Sequence, residues 1–307
     1  MSEQQFPQQP AIQGMSQLEI DQRVFDLYDE YCHGRMDRRE FLSRAASIAV
    51  AGGTALAMAE ALLPRYALAQ QTSFTDQRIR PNYVTYPSAG GNSGTMRGYL
   101  VQPAGQGPCP AVLVVHENRG LNPYIEDVAR RIAVEGFVAL APDGLFPAGG
   151  YPGNDDDGRA LQAGLDQAKL RTDLLNSARF LKTNKLSTGK LGVTGFCYGG
   201  GVVNFLAAAL GQEMHAGAPY YGVAAASESV ARIRAPLLCH LAEHDERVNA
   251  TYPAFESALK AAGVPHQVFV YPGTQHGFHN DSTPRYNEAA AKLSWTRTVA
   301  HFKKYLV

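Results

Sequence analysis

The chain has 307 residues, 45% hydrophobic and 18% charged, an ordinary globular composition with enough length for one large core. Its 28 basic residues balance 28 acidic ones and no long basic run occurs, which argues against nucleic acid or an acidic membrane surface as a partner. Small neutral or weakly anionic molecules fit this balance better.

Residues 1 to about 75 read as an extension distinct from the remainder, 76–307. Met1 to Gly14 is rich in Gln and Pro, a composition that does not build a core. Ile20, Val24, Leu27 or Tyr28, and Tyr31 then recur at helical spacing. Asp37-Arg38-Arg39-Glu40-Phe41-Leu42, a small-residue apolar run from Ala45 to Ala59, and Ala67-Leu68-Ala69 before Gln70 together resemble a twin-arginine export signal. Its use implies a periplasmic or secreted protein beginning at Gln70; the alternative is a folded helical pair on a cytoplasmic protein. The apolar run is too short for a stable membrane span, which needs about 20 apolar residues. Four cysteines do not make a disulfide scaffold in a chain this long.

Tyr83–Tyr86 and Thr95–Val101 alternate with period two around a turn-rich stretch, predicting an antiparallel hairpin at a sheet edge. Strand-like apolar runs then alternate with helical patterns. Ala111–Val115 is a strand buried on both faces, followed by a helix carrying Ile125, Val128 and Ile132, and then the strand Phe137–Ala141. Asp143 to Asp157 is expected to be a loop near the active face, and Arg159 to Lys182 one long helix. Further strands are predicted at Gly217–Tyr221, Pro236–Leu241 and His266–Tyr271, with helices from Tyr252 to Ala262 and around Trp295, Val299, Phe302 and Leu306. The pattern predicts an α/β fold, a mostly parallel sheet covered on both sides, with active residues at the carboxyl ends of strands.

One stretch organises the rest. Gly192 to Gly201 runs from a β-branched strand through the tight turn Gly195-Phe196-Cys197-Tyr198-Gly199 into the apolar helix Val202–Leu210. This is the strand, turn and helix order of a nucleophile elbow, with cysteine in the place of serine. Side chains at positions 195 and 199 would collide in so sharp a reversal, and the helix N-terminus favours a thiolate at Cys197. Such a nucleophile needs a base and an orienting acid, which follow in that fold as acid, then base. Asp245 stands past the strand Pro236–Leu241, and His276 past the last strand, so both occupy loops where a triad requires them.

Upstream, His116-Glu117-Asn118-Arg119 follows a fully apolar strand, a costly place for charge unless it is paired and used. The main-chain N–H groups of Asn118 and Tyr198 are the candidate oxyanion donors. A plainer alternative is a surface loop in which Glu117 and Arg119 pair with each other. His240-Leu241-Ala242-Glu243-His244 also matches an inverted zinc-peptidase pattern, but His240, Glu243 and His244 then need a helix where a strand is predicted.

The elbow, His116-Glu117, Asp245 and His276-Gly277-Phe278 together resemble the dienelactone hydrolase family over about Tyr83 to Val307. The resemblance implies an α/β-hydrolase fold and hydrolysis of a small-molecule ester or lactone without metal or other cofactor. It implies Cys197 as nucleophile, His276 as base, Asp245 as its orienter and Glu117 as the carboxylate that takes the thiol proton. It leaves the oligomeric state open. The chain departs from the dienelactone-specific members four residues after the histidine, where their substrate-binding arginine is Asn280 here. Arg285 and Arg159 are the nearby alternatives. The whole chain, including Glu117-Asn118-Arg119-Gly120-Leu121-Asn122-Pro123-Tyr124 and Tyr151-Pro152-Gly153-Asn154-Asp155-Asp156, resembles a longer bacterial subgroup of hydrolases whose substrates the likeness does not imply. A member that retains the fold only to bind ligand is the alternative to an enzyme.

Overall fold

A computed structural model describes residues 21–48, 66, 69–105 and 107–307. The Gln- and Pro-rich start, most of the run from Ala45 to Ala59, and two residues of Ala67-Leu68-Ala69 lie outside the described residues. The chain divides into two compact units, Met1–Pro64 and Arg65–Val307.

In the first unit, helix α1 (Gln22–Cys32) and helix α2 (Arg38–Ile48) pack on each other. Asp21 caps α1 by accepting from the Arg23 N–H, and Asp37 accepts from the Glu40 N–H at 2.8 Å. Val24, Phe25, Tyr28, Tyr31, Phe41 and Ala45 are buried between them, with Tyr31 stacked on Phe41 at 5.1 Å. The predicted helical spacing therefore forms a small core. Arg38 and Arg39 are exposed in the first turn of α2.

The second unit is built on one eight-stranded sheet. Strands β1 (Ile79–Pro87) and β2 (Thr95–Pro103) form the expected antiparallel hairpin, with Tyr83 opposite Tyr99. β2 then pairs antiparallel with β4 (Val138–Pro142). The rest is parallel: β3 (Cys109–Val115), β5 (Ser187–Phe196), β6 (Ala216–Tyr220), β7 (Leu237–His244) and β8 (His266–Gln275), in the order β1-β2-β4-β3-β5-β6-β7-β8.

Strand β3 shows why both faces are covered. Successive side chains point to opposite faces, so Ala111, Leu113 and Val115 enter one core while Val112 and Val114 enter the other. The first core is closed by helices α5 (Gln167–Thr183), α6 (Tyr198–Leu210) and α8 (Tyr252–Ala261), through residues such as Leu174, Leu206 and Phe255. The second is closed by α3 (Pro123–Val134) and α9 (Glu288–Leu306), through Ile125, Val128 and Phe302. Each Val or Leu buried this way stabilises the fold by about 1.5–3 kcal/mol.

Two sequence expectations change. The stretch from Asp143 to Asp157 is not loop to its end, because helix α4 (Asp155–Gly164) begins inside it. Asn154 caps that helix and three aspartates fill its first turn, where the helix dipole favours negative charge. The single helix expected from Arg159 to Lys182 is instead α4 and α5, separated at Leu165 and Asp166. The Asp166 side chain accepts from the N–H groups of Ala168 and Lys169 and starts a new helix. Among the described residues, no helix is long and apolar enough to cross a membrane.

A buried ionic cluster ties the segment before β1 to α3. Asp127, 1% exposed, accepts from the main-chain N–H groups of Gln71 at 3.2 Å and Thr72 at 2.8 Å, and from Arg130 and Arg131. Arg131 also reaches Asp281 at 2.6 Å. Removing one member of a buried pair leaves the other charge uncompensated. Asp127→Ala is therefore expected to lower unfolding stability by about 3–5 kcal/mol, read from the urea midpoint and slope; a change within about 0.5 kcal/mol contradicts this account.

Candidate active site

The strand order reverses at β3, whose neighbours β4 and β5 lie on its two sides. In an open parallel sheet such a point opens a crevice at the carboxyl ends of the strands. Glu117 follows β3 and Cys197 follows β5, so both line that crevice.

The elbow depends on close backbone contact. Cys197 holds φ 56° and ψ −113°, a left-handed conformation that costs a non-glycine residue about 1–3 kcal/mol. Its N–H donates to the Tyr220 carbonyl at 3.1 Å, which anchors the turn to β6. A Cβ at Gly195 would lie 2.5 Å from the Gly199 carbonyl oxygen. One at Gly199 would lie 2.3 Å from the Val115 carbonyl oxygen and 2.6 Å from that of His116. The start of α6 is thus pressed against the end of β3. Tyr198 is the first residue of α6, where N–H groups lack intrahelical partners, and Asn118 lies two residues beyond His116.

Downstream of the elbow, Asp245 and His276 come together. The His276 Nδ1 N–H donates to Asp245 Oδ2 at 2.6 Å, and both side chains are buried. Asp245 is also the N-cap of the short helix α7 (Glu246–Asn249), its Oδ1 accepting from the Val248 N–H at 3.3 Å. Cys197 Sγ and a His276 ring nitrogen lie within 4.8 Å of each other. Burial acts to lower the imidazole pKa, but the Asp245 carboxylate and then Cys197 outweigh it and raise it well above 6.5. Tyr221, itself at φ 35°, places its ring 5.0 Å from that of His276.

Glu117 and Arg119 do not form a surface loop. They are 1% and 5% exposed, and the short contact of Arg119 is with Asp155 at 2.6 Å, whereas Glu117 stands 3.9 Å away. Glu117 Oε2 accepts from Asn280 Nδ2 at 3.1 Å. Burial raises the Glu117 pKa, Arg119 lowers it, Cys197 raises it and Arg285 lowers it. The net direction is upward, so this carboxylate is biased toward holding a proton beside the thiol.

His116, next in the chain, has a different part. Its Nδ1 donates to the Glu117 carbonyl at 2.6 Å and its Nε2 accepts from the Gly144 N–H at 3.2 Å. Burial keeps it neutral, and it joins the ends of β3 and β4.

Asn280, in place of the expected arginine, is fully buried and serves Glu117 and the Ser282 turn. Of the two alternatives, Arg159 is engaged with Asp156 in α4. Arg285 is 1% exposed and lies against Gly277, where a Cβ would meet its guanidinium at 2.9 Å. Arg285 therefore belongs to the site and Arg159 to the surface of α4. The zinc pattern fails on geometry. His240, Glu243 and His244 lie on β7, which runs through Glu243 to His244 instead of ending before it. His240 has both ring nitrogens engaged, with Tyr271 Oη at 2.8 Å and Thr298 Oγ1 at 2.9 Å.

Sequence reasoning missed Tyr66 and gave Asp155 and Tyr151, noted only within the subgroup likeness, no part in the site. Asp155 Oδ1 accepts from the Tyr66 hydroxyl at 2.7 Å and the Tyr151 hydroxyl at 2.9 Å. The acidic first turn of α4 after Asn154 was a readable helix start, but nothing local marks Asp155 as the partner of Arg119.

A group whose folded pKa is raised stabilises the fold fully below its unfolded value and loses that contribution as pH rises through the folded value. The stability difference between the wild-type protein and His276→Gln is thus expected to be greatest below pH 6.5 and to shrink at higher pH. Urea unfolding across that range tests this, and a difference that grows with pH contradicts it.

Residues 96–306 match the sequence profile of the dienelactone hydrolase family, and residues 14–50 match that described as YqhI-like. The chain is 64% identical over 114 residues to "Putative hydrolase fragment YghX" of Escherichia coli K12, covering 37% of this chain and 97% of that one. It is 32% identical over 281 residues to "Putative carboxymethylenebutenolidase" of Methylorubrum extorquens, covering 86% of this chain and 94% of that one. The crystal structure of a protein named "Putative Dienelactone Hydrolase" from Klebsiella pneumoniae superposes with a TM-score of 0.62 at 27% identity, covering 73% of this chain and all of that one. The fold is that of an α/β-hydrolase.

Proposed function

Because the chain belongs to the dienelactone hydrolase family, we propose that it is a carboxylic ester hydrolase that opens a small ester or lactone with Cys197 as nucleophile. The observation that carries the reading is the convergence of Cys197, the His276–Asp245 pair and buried Glu117 at the strand ends.

Glu117, whose proton affinity burial raises, accepts the Cys197 proton as a carboxylate. The sulfur then attacks the carbonyl carbon, and the N–H groups of Tyr198 and Asn118 receive the oxyanion. The C–O bond breaks as the leaving oxygen takes a proton from imidazolium His276, giving an acyl thioester. Water next yields a proton to His276 and attacks the thioester, the acid departs, and the expelled thiolate recovers its proton from Glu117. Asp245 fixes the imidazole orientation throughout. With Asn280 bound to Glu117, the position that holds an arginine in dienelactone-specific members presents no cation to a substrate carboxylate. Arg285 remains a cation of the site beside Gly277, so short esters and lactones, neutral or weakly anionic, are the substrate class this favours.

Cys197→Ala, or alkylation of Cys197, is expected to lower turnover of p-nitrophenyl acetate by at least ~1,000-fold, and His276→Ala by a similar factor. Full hydrolysis by either variant or by alkylated protein defeats the cysteine mechanism. A panel of lactones and short esters then orders the substrates.

The N-terminal segment fits export through a twin-arginine route. Supporting this are the exposed Arg38-Arg39 pair with Phe41-Leu42 after it and the Ala-Leu-Ala site before Gln70. Mass spectrometry of protein from the native host is expected to find a chain beginning at Gln70, and a start at Met1 contradicts export with cleavage.

A further inference from the structure

Tyr66 precedes the stretch that matches the hydrolase profile by 30 residues, yet its side chain enters the catalytic crevice network. Its hydroxyl donates to Asp155 Oδ1 at 2.7 Å and accepts from Asn122 Nδ2 at 2.8 Å. The other oxygen of Asp155 accepts from Arg119 Nη1 at 2.6 Å, and Arg119 Nε stands 3.9 Å from Glu117 Oε2. These four side chains form a continuous line from the N-terminal arm to the carboxylate beside Cys197.

Each link has a physical reason. Asp155 is mostly buried, and burial alone would push its pKa up; Arg119, Tyr66 and Tyr151 together reverse this and lower it. An ionised Asp155 is what holds the Arg119 guanidinium in place, because a buried cation needs a paired anion. Arg119 in turn opposes the upward push of burial on Glu117 more than any other group does. Removing a hydroxyl from Asp155 therefore weakens the grip on the cation that keeps Glu117 from holding its proton too tightly.

We propose that Tyr66 is a positioning residue for Glu117, fixing Asp155 so that Asp155 holds Arg119 beside the catalytic carboxylate. The inference rests on the reading of Glu117 as acceptor of the thiol proton, and it concerns the uncleaved chain, because cleavage before Gln70 would remove Tyr66 and this contact with it. Glu117 is faced by Arg119, Arg285, Cys197 and Asp155, and by the hydroxyls of Tyr124 and Tyr221. Of these, Asp155 is the group to which the Tyr66 hydroxyl donates; Tyr66→Phe removes that bond and also the acceptor of Asn122 Nδ2. It deletes the hydroxyl and keeps the ring that meets Tyr151 edge-on at 6.5 Å.

The test is the pH profile of kcat/KM for p-nitrophenyl acetate in the full chain, with the pH dependence of Cys197 alkylation by iodoacetamide as a second readout. Loosening Arg119 raises the Glu117 pKa, so Tyr66→Phe is expected to move the acid limb of both profiles upward by about 0.5–1 pH unit. On that limb kcat/KM falls about 3- to 10-fold, with KM within about twofold. In an Asp155→Asn background, where the Tyr66 hydroxyl has no carboxylate to fix, Tyr66→Phe is expected to shift the limb no further than Asp155→Asn does alone, since both act through position 155. If Tyr66→Phe leaves both acid limbs where the wild-type protein has them, the positioning role is wrong and the ring only fills space. If Glu117→Gln leaves the alkylation profile and turnover unaltered, the reading of Glu117 fails instead, and the two failures are distinguished.

Discussion

The contact between the first turn of α6 and the last residues of β3 is the constraint from which the catalytic crevice follows. Gly199 leaves no room for even a methyl group against the Val115 and His116 carbonyls. That approach sets Cys197, at the helix N-terminus, next to the loop that begins with Glu117. Only where the strand order reverses can a loop after one strand face a turn after its neighbour this closely. The strain at Cys197 is carried by this packing, with its N–H anchored to β6 on the other side.

Around that contact the crevice gathers an unusual amount of buried charge. Glu117, Arg119, Asp245, His276 and Arg285 are each at most 5% exposed, and their mutual neutralisation permits such burial. The effects on the two proton-handling groups run in useful directions. Burial leaves Glu117 inclined to take a proton, while Asp245 and Cys197 leave His276 inclined to keep one. In the proposed mechanism, a carboxylate that accepts and an imidazolium that donates are the complementary pair needed for acyl transfer to sulfur. The neutral histidines nearby play no such part. His116 and His240 spend their ring nitrogens on joining strands and helices.

The fold class and the placement of the principal site residues were legible because each has a local signature. Ala111–Val115 is apolar at every position, which reads as a strand covered on both faces, and Gly195-Phe196-Cys197-Tyr198-Gly199 carries its own steric reason. Asp245 and His276 could be found because chain order in the fold says where to look after Cys197. The start of α4 was written in Asn154 and the break before α5 in Asp166, both capping residues, but the break was masked by helical periodicity running across it. Asp155 to Arg119, Tyr66 to Asp155 and Asn280 to Glu117 were not legible at all. Those pairs are 36, 89 and 163 residues apart, and no local propensity encodes a partner at such a distance.

The clamp that Asp127 places on the main chain of Gln71 and Thr72 bears on when an Ala-Leu-Ala site just before Gln70 could be cut. A processing protease grips its substrate as an extended, detached strand of several residues. Here the second and third residues beyond the scissile bond donate to a buried carboxylate, and the Ala69 N–H turns back to the Tyr66 carbonyl at 3.3 Å. Backbone tied down on both sides of a bond is poor prey for proteolysis. If the proposed export site is used, cleavage at that bond belongs to the interval before this short strap docks, and the folding of a single ion-paired corner would set the clock for it.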